Sequence, residues 1–271
     1  MRVGSLFSGI GGIDLGLQRA GMEIVWQVEN DDWCRKVLAR HFPDAVRYGD
    51  VRDCRGEVVG NTPSQRSPAE CEPSESAGDE EAGWRESHTS GRLSSVDLIC
   101  GGFPCQPVSH TGRRLGAEDE RWLWPEFMRI IREVRPRWVL VENVPGLLSI
   151  DDGRLFGGVL RDLAEGGYDA EWDHIPAAAL GAPHIRDRVF LIAYADSGGG
   201  HGRGVSALGS PEGRGAFTEA PRRGGQWATE PDVGRVAHGV PARVDRLRGL
   251  GNAVVPQVAE YIGRLIMEVG P

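Results

Sequence analysis

The stretch Arg2-Val3-Gly4-Ser5-Leu6-Phe7-Ser8-Gly9-Ile10-Gly11-Gly12 decides the fold. Its first half is a short apolar strand. Its second half is a run of glycines that opens directly into a helical pattern over 13–20. A strand that turns through glycines into a helix is the first unit of a βα repeat. Glycine there lets the backbone turn tightly and approach a ligand closely. No lysine follows in a GxxxxGK[ST] pattern, which excludes a P-loop.

The same alternation continues outward. A second strand, 23–28, leads into a helix over about 31–41, and a third short strand covers 46–48. Further apolar strands are read at 96–100, 138–142 and 189–193, with helices at 121–134 and 155–165 between them. Strands alternating with helices predict an α/β fold, a mostly parallel Rossmann-like sheet covered on both faces. Ligands on such sheets bind beyond the carboxyl ends of the strands. Glu29 ends the second strand, where a carboxylate can accept ribose hydroxyls. Asp50 follows the third, within reach of an adenine amino group.

Two segments interrupt the pattern. Residues 56–95 are rich in Ser, Glu, Pro and Gly, and predict a low-complexity surface insertion. Residues 196–225 are rich in Gly and Arg and predict a loop-built stretch, anchored by Trp227 and 233–240, within a small region over 195–244. The expected organisation is a catalytic domain over 1–194, that small region over 195–244, and a segment over 245–271 returning to the first domain.

Charge is unevenly spread. The net charge is -8, yet 55–95 holds 8 acidic and 4 basic residues, whereas 195–248 holds 6 acidic and 8 basic ones. The late segment is therefore mildly basic. Lys36 is the one lysine, so its cations are arginines, which bind phosphate or guanine in bidentate fashion. No apolar run of about 18 residues predicts a membrane span, and the first residues lack a signal-peptide layout. Five cysteines without a CxxC pair fit a reduced, cytoplasmic thiol set better than disulfides or a metal site.

Three further motifs carry chemistry. Gly101-Gly102-Phe103-Pro104-Cys105-Gln106-Pro107 places a cysteine on a stiff loop just past a strand. Val141-Glu142-Asn143-Val144-Pro145 ends the next strand with a carboxylate. Arg186-Asp187-Arg188 leads into the last strand, where alternation would put both guanidinium groups on one face.

Together these resemble the cytosine-5 DNA methyltransferase family. FSGIGG at 7–12, GGFPCQ at 101–106, ENV at 142–144, RDR at 186–188 and GNAVVP at 251–256 follow the family's order and span nearly the whole chain. The PCQ and ENV pair is highly specific; the glycine loop alone is not.

The resemblance implies transfer of a methyl group from S-adenosylmethionine to carbon 5 of a flipped cytosine in duplex DNA. Cys105 would be the covalent nucleophile, and Glu142 would hold the base at its amino group and ring nitrogen. Arg186 would contact the base, with Arg188 bracing it. Phe7, Ser8, Gly9, Ile10, Gly11, Gly12, Glu29, Asn30, Asp50, Val51, Pro104, Asn252 and Val254 would form the cofactor pocket. Gln106 and Ser109 would close over the base. Arg203, Arg214, Arg222, Arg223 and Arg235 are candidate DNA contacts.

No metal, a monomer, and a cognate restriction endonuclease as partner are further expectations. The sequence departs from the family at His184, where glutamine is usual, and in a short recognition region, which predicts a site of about two to four base pairs. A catalytically inactive DNA-binding regulator and an RNA methyltransferase of the same fold are the competing readings. Intact Cys105, Glu142 and Arg186 weigh against the first, and the absence of a Cys-Phe-Thr tripeptide against the second.

Overall fold

A computed structural model describes residues 1–56, 91–104, 122–195 and 243–270. Its centre is a seven-stranded sheet. Strands β1 (Arg2–Leu6), β2 (Glu23–Val28), β3 (Val46–Tyr48), β6 (Leu98–Gly101) and β7 (Trp138–Asn143) run parallel. Strand β9 (Val189–Ala195) runs antiparallel between β7 and β8 (Tyr168–His174). The order is β3-β2-β1-β6-β7-β9-β8. The chain winds outward from β1 in both directions, so a crevice opens at the switch between β1 and β6, beyond their carboxyl ends.

Alternation along the central strands feeds two cores. Ile99, Val139 and Val141 face one side, with Phe127, Ile130 and Ile131 of α3 (Trp124–Val134) and Val159 and Leu163 of α4 (Arg154–Glu165). Leu98, Cys100 and Leu140 face the other, with Leu17 of α1 (Gly12–Arg19), Leu38 of α2 (Asp32–His41) and Val258 and Ile262 of the last helix, α6 (Pro256–Val269). Both faces are covered, as parallel sheets require.

The segment returning after residue 245 is helical. Helix α5 (Arg243–Asn252) leads into α6, which lies along α1. Gly16 lets the two backbones meet: a Cβ there would stand 2.5 Å from the Ala259 Cβ.

The segment expected as an insertion over 56–95 has packed ends. Strands β4 (Arg55–Gly56) and β5 (Arg92–Leu93) pair in parallel. The Gly56 amide donates to Glu133 at 2.7 Å, Leu93 is wholly buried, and Trp26 Nε1 donates to the Ser94 carbonyl at 3.0 Å. Composition averaged over the stretch concealed these anchors, so Gly56 and residues 91–95 belong to the fold. No helix among the described residues is long and apolar enough to cross a membrane.

Candidate active site

A cavity of about 330 Å³ opens at the switch point. Its floor is the glycine loop. Gly9 (φ 55) leaves open space where a side chain would stand, and its amide donates to Glu29 Oε2 at 2.8 Å. Glu29 Oε1 accepts from the Asp31 amide at 2.9 Å, so this carboxylate is fixed by backbone on two sides. Phe7 stacks on Phe127, with ring centroids 6.1 Å apart.

Asp50 lies at the end of β3, in an ion pair with Arg52 at 2.6 Å. The Arg52 side chain and amide hydrogen bonds hold the Asp50 carboxyl below its ordinary range. Arg129 of α3 supports this edge from behind, donating to the carbonyls of Val51 (2.9 Å) and Cys54 (3.0 Å).

Phe7, Ser8, Gly9, Gly12, Glu29, Asn30, Asp50, Val51, Pro104, Asn252 and Val254 all line the cavity. Ile10 and Gly11, expected beside them, are not in its wall. Gly11 (φ 82) caps α1, and a Cβ there would stand 2.6 Å from the Phe42 ring. Ile10 instead faces Gly249 of α5. Ile10 and Gly11 thus turn toward α5 and α2, and the chain regains the cavity wall at Gly12, where the helix begins.

Glu142 ends β7 at the other side of the cavity and is 8% exposed. Burial pushes its carboxyl up to about 7, against the pull of the Arg188 and Arg186 charges. Arg188 Nε lies 3.0 Å from Glu142 Oε1. Asn143 ties the strand end to the loop that leads to Cys105: its Nδ2 donates to the Phe103 carbonyl at 3.3 Å. The Phe103 ring is set among Trp122, Trp124 and Phe127 at 5.2–6.4 Å. Cys105, Gln106, Ser109, Arg203, Arg214, Arg222, Arg223 and Arg235 lie outside the described residues.

The two arginines of RDR do not share a face. They precede β9 rather than sit on it, and Arg186 has φ 37, which breaks the extended alternation. Arg188 turns to Glu142. Arg186 Nη2 donates to the carbonyls of Gly251 (2.9 Å) and Ala253, gripping the GNAVVP loop. The bracing expected of Arg188 and the cavity contact expected of Arg186 thus occupy exchanged positions.

Sequence reasoning missed a buried polar group beneath the loop, made by Ser5, Asp14 and Gln27. It also missed the α5 rim, where Arg248 lies 3.6 Å from Asp31. An acid in a first helical turn reads as a surface charge, and a glycine-rich stretch does not read as a helix.

The cavity fits a nucleoside-bearing cofactor. Its volume lies in the range of small-molecule sites, about 300–1,000 Å³. Two carboxylates at adjacent strand ends offer acceptors, and the open space at Gly9 admits a close approach. With Glu142 facing the same space, a second planar polar group can be held opposite. Among the described residues, no cluster of His, Cys, Asp or Glu could hold a metal ion.

This architecture is that of a Rossmann-like methyltransferase, and the chain belongs to the C-5 cytosine-specific DNA methylase family, whose model matches residues 1–65 and 73–201. It is 30% identical over 198 residues to the type II methyltransferase M.AquIA of Picosynechococcus, covering 69% of each. It is 32% identical to M.NgoMIV of Neisseria gonorrhoeae over 187 residues, 69% of this chain and 49% of that one. Several relatives are much longer: the chain spans 42% of both M.NgoFVII and M2.BsuMI. Among solved structures, a DNA modification methyltransferase encoded within an E. coli prophage matches with TM-score 0.51 and 26% identity, over 73% of this chain and 47% of that one. The S. pombe Dnmt2 methyltransferase matches in fold, with TM-score 0.52 and 18% identity, over 83% and 58% of the two chains.

Proposed function

We propose that the chain is a DNA cytosine-5 methyltransferase that takes its methyl group from S-adenosylmethionine. The observation that carries this reading is the buried, charge-braced Glu142, in one cavity with Glu29, Asp50 and Pro104, the neighbour of Cys105. Family membership supports the reaction class.

The cofactor supplies an electrophilic methyl group. Glu29 would accept its ribose hydroxyls, Asp50 its adenine amino group, and the loop of Asn252 and Val254 would close its other side. Glu142 would hold a cytosine turned out of the duplex, with its proton on the ring nitrogen and Arg188 beside it, limiting charge build-up during attack. The Cys105 thiolate would add to carbon 6, making carbon 5 nucleophilic. Loss of the carbon 5 proton after transfer would then expel the thiolate.

The test is methyl transfer from labelled S-adenosylmethionine to duplex DNA and, separately, to tRNA, with bisulfite mapping of the DNA product. Labelled 5-methylcytosine in DNA, abolished by Cys105→Ser, is the expected result. Label in tRNA alone would replace the DNA reading. Transfer by Cys105→Ser within about tenfold of wild type would overturn the covalent route, because removing a nucleophile costs far more. The short region over 195–244 would read the sequence, through arginines against guanine edges.

A further inference from the structure

Beneath the glycine loop runs a polar chain that the chemistry above leaves unused. Asp14, in the first turn of α1, is wholly buried. Its Oδ2 accepts the Ser5 hydroxyl of β1 at 3.0 Å, and its Oδ1 accepts the Gln27 amide of β2 at 2.7 Å. The Ser5 hydroxyl oxygen in turn accepts from Ser8 Oγ at 2.9 Å, and the Ser5 carbonyl is a second, longer acceptor for Ser8 at 3.3 Å. Ser8 stands in the cavity wall. Two hydroxyls therefore connect a buried carboxylate to the space a ligand would fill.

The direction of that connection follows from proton counting. An ionised carboxylate can only accept, and a hydroxyl has one proton to give. Asp14 draws the Ser5 proton to itself. Ser5 then offers a lone pair to Ser8, and Ser8 turns its proton inward. The Ser8 oxygen is left with lone pairs toward the cavity. A protonated Asp14 can reverse the series: it donates to Ser5, Ser5 donates to Ser8, and the Ser8 proton points outward.

We propose that Asp14 is a positioning residue that sets the hydrogen-bonding polarity of the cofactor pocket through Ser5 and Ser8. With the carboxylate ionised, the loop presents an acceptor to the cationic, ammonium-bearing end of S-adenosylmethionine. This rests on the reading of the pocket as the site of that cofactor.

The surroundings make the switch accessible to pH. Burial pushes the Asp14 carboxyl up to about 6, against the hydrogen bonds from Gln27 and Ser5, and the nearby Glu29 charge adds to the rise. The Cys100 thiol of β6 also faces it and is itself held well above its ordinary range by burial and by Asp14. Among the described residues, no cation pairs with Asp14. Above about pH 6 the acceptor polarity is in place, and it is lost as pH falls through that value.

The experiment is calorimetric titration with S-adenosylmethionine, without DNA, from about pH 7.5 down to about pH 5. Wild type should weaken about tenfold, the effect of exchanging one charge-assisted hydrogen bond for a repulsive contact. Asp14→Asn should show one affinity throughout. An amide at 14 can keep both contacts if the Gln27 amide turns over, and the Gln27 oxygen has no protein partner to lose. Ser5→Ala breaks the chain without touching the carboxylate. Ser8 then keeps the Ser5 carbonyl, 3.3 Å away, as its acceptor, so binding should lose its pH step, which keeps the test decisive if Asp14→Asn does not fold.

A role confined to packing would lower melting temperature and leave the pH step of binding in place. A flat wild-type curve, or an undiminished step in either variant, overturns the inference while the cofactor reading stands. No binding by wild type near neutrality overturns both.

Discussion

Arg188 Nε stands 3.0 Å from Glu142 Oε1, and even with this cation beside it the Glu142 carboxyl rises to about 7. Burial outweighs the ion pair. A carboxyl whose folded value exceeds its unfolded one favours the fold below the unfolded value of about 4.5, and that advantage fades as pH rises through about 7. The full swing is roughly 3 kcal/mol. Glu142→Gln should therefore gain stability relative to wild type as pH rises from about 4.5 to 8, read by urea melts across that range. A difference that does not change with pH would place the raised value elsewhere.

The same group sets a kinetic limit. The proposed role needs Glu142 protonated against the base, so kcat/KM should fall as pH rises above about 7. Glu142→Gln should lower methylation by at least about a hundredfold and remove that limb.

Gly102 provides a sharper probe of the same carboxylate. A Cβ at this position would stand 2.5 Å from Glu142 Oε2. Gly102→Ala should displace the Glu142 side chain and cut turnover by about a hundredfold, the cost of a misplacement on the order of 1 Å. Affinity for S-adenosylmethionine should change by less than about threefold. Equal losses in both would mean that the substitution disturbs the whole crevice.

Arg186 holds the Gly251 and Ala253 carbonyls, and the Asn252 and Val254 side of the cavity depends on that grip. Arg186→Ala should raise KM for S-adenosylmethionine about tenfold, with a smaller effect on kcat. Arg186→Lys, which can still donate to a carbonyl, should recover part of the loss. A kcat defect with unchanged KM would return Arg186 to the base.

Glu29 supports both a ligand and the loop itself. Glu29→Ala removes the acceptor for the Gly9 and Asp31 amides, so cofactor affinity should fall by about ten- to a hundredfold by calorimetry. Asp50→Ala should weaken binding less, because Arg52 already engages that carboxylate.

Residues 57–90 should be removable behind a Gly/Ser linker with methylation retained. Extending the deletion through 95 should abolish folding, because it takes out Leu93, the Ser94 carbonyl that Trp26 donates to, and the β4–β5 pair. Circular dichroism of the two deletions separates the outcomes.

Much of the sheet is legible in the sequence because its strands are buried on both faces and read as short apolar runs. Strand β8 is not, since Tyr168-Asp169-Ala170-Glu171-Trp172-Asp173-His174 is an edge strand in which Asp169, Glu171 and Asp173 alternate with the apolar side chains and break any apolar run. Helix α5 is masked by Gly249 and Gly251. By contrast, Val258, Ile262 and Ile266 of α6 carry a helical spacing that was available to be read. At the site, Glu29, Asp50 and Glu142 are legible because each ends a strand. The exchange between Arg186 and Arg188 is not, because it depends on one backbone angle. Asp14 is invisible for another reason: only the closure of α1 over β1 and β2 turns a helical acid into a buried one.

The packing of α6 on α1 has a consequence for how the molecule is born. Synthesis delivers residues 2–20 long before residues 249–263, yet Gly12 meets the Val254 backbone and Gly16 meets Pro256 and Ala259. While the ribosome is still adding the intervening residues, the apolar side of α1 around Leu17 has no cover and the cavity lacks its Asn252 wall. The nascent chain therefore has an incomplete cavity. It becomes able to hold a methyl donor only when the stretch from 249 to 263 has emerged and folded back on the first helix.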